Sequence, residues 1–214
     1  MKSFLLAVLG LLCFTSTSFA VAPIISTFDV NNESWTADGA AIVYEGSGGN
    51  PGGFLKITDN RGDTYSIFAP AKFRGDLSAF DGGLLSYDIL QLEPTTPLGS
   101  VGSGFGRIGI LGGGLNATFD YAPDPPIPST LTWKSYIAPL NAAAWHTSQE
   151  DWEQILSNVL DVNIILDLKP GEDTIGFDNF KVQPVPEPTT LSLLGLSFLG
   201  LIKRKKIVNN QNKK

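Results

Sequence analysis

The stretch Ile175-Gly176-Phe177-Asp178-Asn179-Phe180-Lys181-Val182, near the end of the chain, decides the fold class. It is rich in β-branched and aromatic residues and reads as a strand with at least one buried face. Eight shorter runs of this kind precede it, separated by Gly, Pro, Asn and Asp, at residues 42–44, 54–57, 65–68, 84–90, 107–111, 115–119, 132–137 and 162–166. Many short strands with such turns are typical of an antiparallel sandwich, so the sequence predicts an all-β domain.

One helix is predicted within this all-β pattern. Ser148-Gln149-Glu150-Asp151 has the form of a capping box, in which a hydroxyl and a carboxylate bind free amide groups at a helix start. The apolar residues that follow recur at helical spacing on one face: Trp152, Ile155, Leu156, Val159 and Leu160. We expect this helix to pack on the sandwich with its apolar side inward.

The first twenty residues have the layout of a secretory signal peptide. Lys2 precedes an apolar run at 4–14, and the small residues Ser18 and Ala20 occupy the positions that signal peptidase requires. The run is too short to be a stable membrane span. We predict a signal peptide at residues 1–20, cleavage after Ala20, and a secreted domain at residues 21–184.

The C-terminal segment, residues 185–214, carries a second processing signal. Pro186, Glu187 and Pro188 precede an apolar run at 191–202, which four cations at 203–206 close. This order resembles the PEP-CTERM sorting signal, which implies an exosortase as partner, export across the inner membrane to the cell envelope, and a hydrophobic helix that anchors the chain until cleavage. Cations after the helix place that end on the cytoplasmic side. A permanent C-terminal membrane anchor is the alternative.

The composition between these two ends excludes several classes of partner. Residues 21–184 contain 8 basic and 20 acidic residues, a net charge of −12. Such a surface repels phosphate backbones, so nucleic acid is excluded as a partner, whereas divalent cations are favoured. Zinc is a poor match because Cys13 lies in the signal peptide and His146 is the only histidine.

Several segments, in order along the secreted domain, resemble the laminin B module, also called laminin domain IV. They are Phe28 with Trp35 in the opening strand, residues 49–55, 65–78, Trp133 with Tyr136, Asp151-Trp152, and 173–180. The resemblance implies a jelly-roll β-sandwich similar to bacterial carbohydrate-binding modules. It brings no catalytic residues, so it implies a non-catalytic protein.

Trp145 is the candidate for binding a ligand. Indole rings offer flat faces on which sugar rings stack, and Trp145 lies in the predicted loop 141–146. Trp35, Trp133 and Trp152 fall in strand or helix patterns and are expected in the core. We therefore predict that Trp145 is exposed and contacts a polysaccharide.

A structural calcium ion is a further prediction. Asp178 and Asn179 carry oxygen atoms in the last strand, and Asp29 and Glu45 lie in opening segments that can supply additional oxygen ligands. Jelly-roll carbohydrate modules often hold Ca²⁺ where the last strand meets the first. Alternatively, Asp178 and Asn179 cap a strand end or bind backbone groups.

These observations favour an exported, non-catalytic protein of the cell surface or extracellular matrix that binds polysaccharide. Two alternatives stay open. An enzyme acting on polysaccharide needs a carboxylate pair, whose spacing a sequence does not give. A structural spacer needs no binding groove.

Overall fold

A computed structural model describes residues 21–59, 64–102, 104–121 and 126–185. Strands predominate, with one α-helix and two 3₁₀ turns at Ala71–Phe73 and Ser78–Phe80. The elements in chain order are β1 (Ile24–Ser26), β2 (Thr36–Asp38), β3 (Ala40–Glu45), β4 (Phe54–Asp59), β5 (Ser66–Phe68), β6 (Leu84–Glu93), β7 (Ile108–Gly112), β8 (Leu115–Phe119), β9 (Lys134–Pro139), α1 (Gln149–Ser157), β10 (Val159–Ile165) and β11 (Asp173–Gln183).

The strands form two antiparallel sheets. The six-stranded sheet has the order β3-β4-β11-β6-β9, with β1 beside β11, and the five-stranded sheet has the order β2-β5-β10-β7-β8. Their inner faces supply a common core. The predicted all-β sandwich with one helix is confirmed, and each of the nine predicted strands overlaps an observed one.

The opening segment differs from expectation. Phe28 and Trp35, predicted in an opening strand, lie between β1 and β2, and both are buried. Phe28 has φ 50, a left-handed conformation that interrupts an extended chain. The side chains still reach the core because the loop folds inward over it. β1 and β2 have only three residues each, too few to show a period.

An aromatic cluster around Trp35 forms the centre of the core. The Trp35 ring lies 5.0 Å from Phe177, 4.9 Å from Phe180 and 6.1 Å from Phe73, measured between centroids. Phe177 and Phe180 are three residues apart and would face opposite sides of a regular strand. Both face the core because the register of β11 shifts between Asp178 and Lys181, where Asn179 has φ 53.

The helix α1 begins as predicted. Ser148 Oγ accepts a hydrogen bond of 3.0 Å from the backbone amide of Asp151, and Trp152, Ile155 and Leu156 are buried against β7 and β8. The helix ends at Ser157, so the prediction that Val159 and Leu160 continue its apolar face is wrong. Both belong to β10, because Asn158 takes a non-helical conformation.

In the described part of the chain, no helix is long and apolar enough to cross a membrane. The predicted signal peptide and the apolar run at 191–202 lie outside the described residues. The same holds for Pro186, Glu187 and Pro188.

Candidate functional site

The last strand, β11, changes its pairing partner at Asp178 and Asn179, two of the predicted metal ligands. One edge of β11 pairs with β4 over Asp173–Phe177 and with β1 over Phe180–Val182. Asp178 and Asn179 fill the gap between these two pairings. The last strand therefore meets the first strand at this point, which we call the β11 junction.

Asp178 fastens a distant turn to the β11 junction. Its Oδ2 accepts a hydrogen bond of 2.6 Å from the backbone amide of Asn50, and its Oδ1 accepts one of 2.7 Å from the amide of Asn179. The side chain is fully buried. Burial, aided by the charges of Asp88 and Asp29, raises the pKa of Asp178 to about 6, against the opposing effect of the two amides.

Asp88 lies opposite Asp178 in the pairing of β6 with β11. Its Oδ2 accepts from the side-chain amides of Asn50, at 3.0 Å, and Asn179, at 2.9 Å, while its Oδ1 accepts from Ser135 Oγ at 2.6 Å. The two carboxylates are thus held by amides and a hydroxyl. Because Asp178 has no exposed surface, this pair is not accessible to a substrate as the acid and base of glycoside hydrolysis.

The turn Gly49–Gly53 brings backbone oxygen atoms close to the β11 junction. A Cβ on Gly49 would lie 2.8 Å from Asp178 Oδ2 and 2.1 Å from the carbonyl oxygen of Gly53. A Cβ on Gly53 would lie 2.3 Å from the carbonyl oxygen of Phe28 and 2.8 Å from that of Glu45. These approaches require glycine, and they gather carbonyl and carboxylate oxygens around one turn.

The structure brings three of the four predicted metal ligands together. Asp29 approaches the turn, since a Cβ on Gly52 would lie 2.4 Å from its Oδ1, and its charge acts on Asp178. Glu45 contributes its carbonyl oxygen to the turn, while its side chain is opposite Phe54 in the pairing of β3 with β4. In the described ranges no cluster of three or more His, Cys, Asp or Glu can hold a metal ion.

Trp145 does not lie on the surface, and the prediction that it is exposed is wrong. Only 1% of its surface is exposed, and its Nε1 donates to the carbonyl oxygen of Pro139 at 2.7 Å. Its ring lies 5.3 Å from Trp152 and 5.9 Å from Phe119. Loop 141–146 turns inward to pack this indole beneath α1, so Trp145 cannot stack on a sugar.

A groove of about 460 Å³ crosses the outer face of the six-stranded sheet, over β1, β11, β6 and β9. We call it the sheet groove. Its polar lining consists of Thr27, Ser86, Asp88, Ser135, Asn179, Lys181 and Gln183. Its apolar lining includes Ile25, Leu84 and Ile137. Asp88 and Asn179, which are hydrogen-bonded to each other at the β11 junction, also line the groove.

Trp133 lies on this outer face, and the prediction that it belongs to the core is wrong. It is partly exposed, and its Nε1 donates to the carbonyl oxygen of Gly48 at 3.1 Å. The ring crosses Gly176, where an added Cβ would lie 2.7 Å from Trp133 Cη2, and meets Phe54 edge-on at 5.5 Å. Trp133 precedes the groove residue Ser135 by two positions, so it lies beside the sheet groove without lining it.

The sequence contained a signal for this arrangement. Gly176 interrupts the strand that decides the fold, and a glycine inside a strand often marks the close approach of another group. Which aromatic ring covers it was not visible from the sequence.

The comparisons with known proteins agree with the processing signal and with the fold. Residues 184–206 match the family model "PEP-CTERM protein-sorting motif". The chain carries this motif, which indicates an exported, surface-sorted protein. No curated protein matched the sequence.

Solved structures similar to this one include a carbohydrate-binding module, an agarase and a laminin domain. The solution structure of CtCBM11, from Clostridium thermocellum, is 15% identical with a TM-score of 0.50, covering 80% of this chain and 99% of that one. An exo-beta-agarase is 17% identical with a TM-score of 0.52, covering 75% of this chain and 24% of that one. The L4b domain of human laminin alpha-2 is 13% identical with a TM-score of 0.49, covering 61% of this chain and 80% of that one.

The likeness to the carbohydrate-binding module and to the agarase, with TM-scores of 0.50 and 0.52, shows a shared sandwich fold and no more. This chain spans about a quarter of the agarase, so the likeness there is to one part of an enzyme.

Proposed function

We propose that this exported protein binds a polysaccharide chain in the sheet groove and acts without catalysis at the cell surface or in the extracellular matrix. The observation that carries the proposal is the groove itself, an open channel across four strands of one sheet face. The likeness of the fold to a carbohydrate-binding module supports it.

The lining of the sheet groove suits a sugar chain. Hydroxyl, amide and ammonium groups offer hydrogen bonds to sugar hydroxyls, while Leu84 and Ile137 offer contacts to the apolar faces of the rings. Ile137 is 52% exposed, a large value for an aliphatic side chain within a strand. Trp133 adds an aromatic surface beside the groove.

Such a site binds weakly as a single copy. Each stacking or hydrogen-bonding contact to a sugar contributes little after water is displaced. Many copies held on one surface raise the overall affinity, because each further contact with the same polymer becomes intramolecular. A surface-sorted matrix protein meets this condition.

The C-terminal motif defines the other partner in this proposal. An exosortase recognises Pro186-Glu187-Pro188, the apolar run at 191–202 holds the chain in the inner membrane until cleavage, and the domain is then released to the envelope. The matched motif at residues 184–206 supports this order.

We also propose that a structural Ca²⁺ binds at the β11 junction. Asp29, Asp178 and the carbonyl oxygens around the turn Gly49–Gly53 are hard oxygen ligands, the kind that Ca²⁺ takes in sets of six to eight. Asn179 lies beside them. The ion would neutralise charge next to the sheet groove and fix the turn that carries Asn50.

The glycan proposal is tested by blocking the sheet groove. Ser86→Trp places an indole at its centre, and Asn116→Trp is the matched control, because Asn116 is exposed in β8 on the opposite sheet. On a glycan array that includes the host's exopolysaccharide, wild type and Asn116→Trp should bind and Ser86→Trp should not. Equal binding by both variants would remove the groove from the proposal.

The same array separates the alternatives. Absence of binding to every glycan by a folded protein favours the structural spacer. Release of reducing ends from the polysaccharide favours an enzyme, whose carboxylate pair would then have to differ from Asp88 and Asp178.

A further inference from the structure

The charged groups of the sheet groove differ in whether they already have partners. Asp88 accepts hydrogen bonds from Asn50, Asn179 and Ser135, so both of its oxygens are occupied. Among the described residues, the ammonium of Lys181 forms neither an ion pair nor a hydrogen bond. The side chain of this partly buried cation lines the groove, and its three donor hydrogens have no protein acceptor among the described residues.

Most of the cations in the described part of the chain do have a protein partner. Five others in the described ranges are bonded, three in ion pairs and two to backbone carbonyl oxygens: Lys72, Arg74, Arg107, Lys134 and Lys169. Only Lys56 and Lys181 lack such a partner in the part of the chain that the structure describes. An ammonium group that lines a groove without a protein acceptor can donate its hydrogen bonds to a ligand.

Lys56 lies on the same outer face. It pairs with Gly176 in the register of β4 with β11, and Gly176 faces outward beneath Trp133. The two unpartnered cations therefore share the face that holds the sheet groove, Lys181 inside it and Lys56 beside Trp133. The domain as a whole is strongly acidic. Among the described residues, both cations that have no protein partner lie on this face.

We propose that the sheet groove selects an anionic polysaccharide, and that Lys181 Nζ binds the carboxylate or sulfate group of one sugar unit. This inference rests on the glycan binding proposed above and adds the class of glycan. The neighbouring Ser86, Ile137 and Gln183 contact the same sugar unit. The charge-assisted hydrogen bond forms in a partly desolvated groove, where it is stronger than on open surface.

Two electrostatic effects of opposite sign follow. The net charge of −12 repels an anionic polymer at long range, while Lys181 attracts it at contact. Salt screens both the repulsion and the attraction, so the salt dependence of the wild-type affinity does not isolate the contact made by Lys181. The ratio between the affinity of the wild type and that of a Lys181 variant isolates the contact, because the long-range repulsion is almost the same in the two proteins.

The test measures the affinity of the purified protein for a polyuronate, a sulfated polysaccharide and a neutral β-glucan. Lys181→Met should weaken binding of the anionic polymer about tenfold at low salt, and this ratio should shrink as salt rises. Lys181→Arg should keep most of the affinity. Lys169→Met is the control, because it removes the same charge outside the groove.

The outcomes separate this inference from the proposed function. Binding of the polyuronate, of the sulfated polymer or of both, with loss in Lys181→Met, supports it and names the acidic group. Unchanged anionic binding in Lys181→Met overturns it. Binding of the neutral glucan alone overturns it too but leaves the proposed function standing. If no glycan binds to the folded wild type, both fail.

Discussion

Asp178 and Asn50 are 128 residues apart in sequence and are joined by a hydrogen bond of 2.6 Å from the Asn50 amide to Asp178 Oδ2. This bond ties the turn between β3 and β4 to the bulge of β11. Asn50 in turn donates to Asp88, which lines the sheet groove. The stability of the domain and the shape of the groove therefore depend on the same carboxylate.

Replacement of Asp178 by Ala should destabilise the protein by about 1–3 kcal/mol, because two backbone amides lose their acceptor. Urea denaturation followed by tryptophan fluorescence measures the change. Glu172→Ala, at an exposed carboxylate, is the control and should shift the midpoint little. A midpoint for Asp178→Ala equal to that of Glu172→Ala would show that this bond contributes nothing.

The buried carboxylates predict that stability depends on pH. Burial raises the pKa of Asp173 and that of Asp178 to about 6 each, from 3.8. The folded state thus holds these protons more tightly than the unfolded state, and the stability contributed below the unfolded pKa is lost as pH rises through about 6. We expect a loss on the order of 2 kcal/mol for each group between about pH 4 and pH 7.

Thermal melts across that range check the pH dependence. Asp173→Asn carries no titrating group and should flatten the profile, although it retains an oxygen that can accept from Tyr65 or Leu168. A melting temperature that rises steadily from pH 4 to pH 7 in the wild type would contradict the predicted direction.

Calcium should raise the melting temperature if it binds at the β11 junction. A ligand that binds only the folded state stabilises it by about 2.7 kcal/mol at a hundredfold excess over Kd. Asp29→Asn should reduce the calcium response with little effect on the fold, since Asp29 is exposed. Melting curves that coincide in Ca²⁺ and in chelator would exclude the site.

Trp145 should contribute to the stability of the fold, and Trp133 should contribute to glycan affinity. Trp145→Ala removes a buried ring and should cost about 3–5 kcal/mol of stability, whereas Trp145→Phe should fold and still bind glycan. Trp133→Ala should lower glycan affinity about threefold to tenfold. Circular dichroism and glycan titration measure both. The roles would be reversed if a folded Trp145→Phe variant lost glycan binding while Trp133→Ala bound as tightly as the wild type.

Processing should leave a chain that begins at Val21 and ends near Pro186-Glu187-Pro188. The reason is the pair of terminal signals, of which the C-terminal one matches a sorting motif. Intact-mass measurement on protein from its native host gives both ends at once. A species that keeps residues 203–206 would indicate a permanent membrane anchor.

The sequence by itself determined nine of the eleven strands in the described chain, the start of the helix and the sorting motif. These features depend on local patterns: side-chain alternation in 84–90, the hydroxyl of Ser148 three residues before the amide of Asp151, and an ordered set of signals at residues 185–206.

Only the tertiary structure decided which aromatic rings are buried and where the groove lies. Trp145 is in a loop yet buried, and Trp133 adjoins a strand yet faces outward. Asn179 adds one residue to β11 and turns Phe180 back into the core beside Phe177. Such outcomes depend on contacts between residues far apart in sequence, and local periodicity carries no information about them.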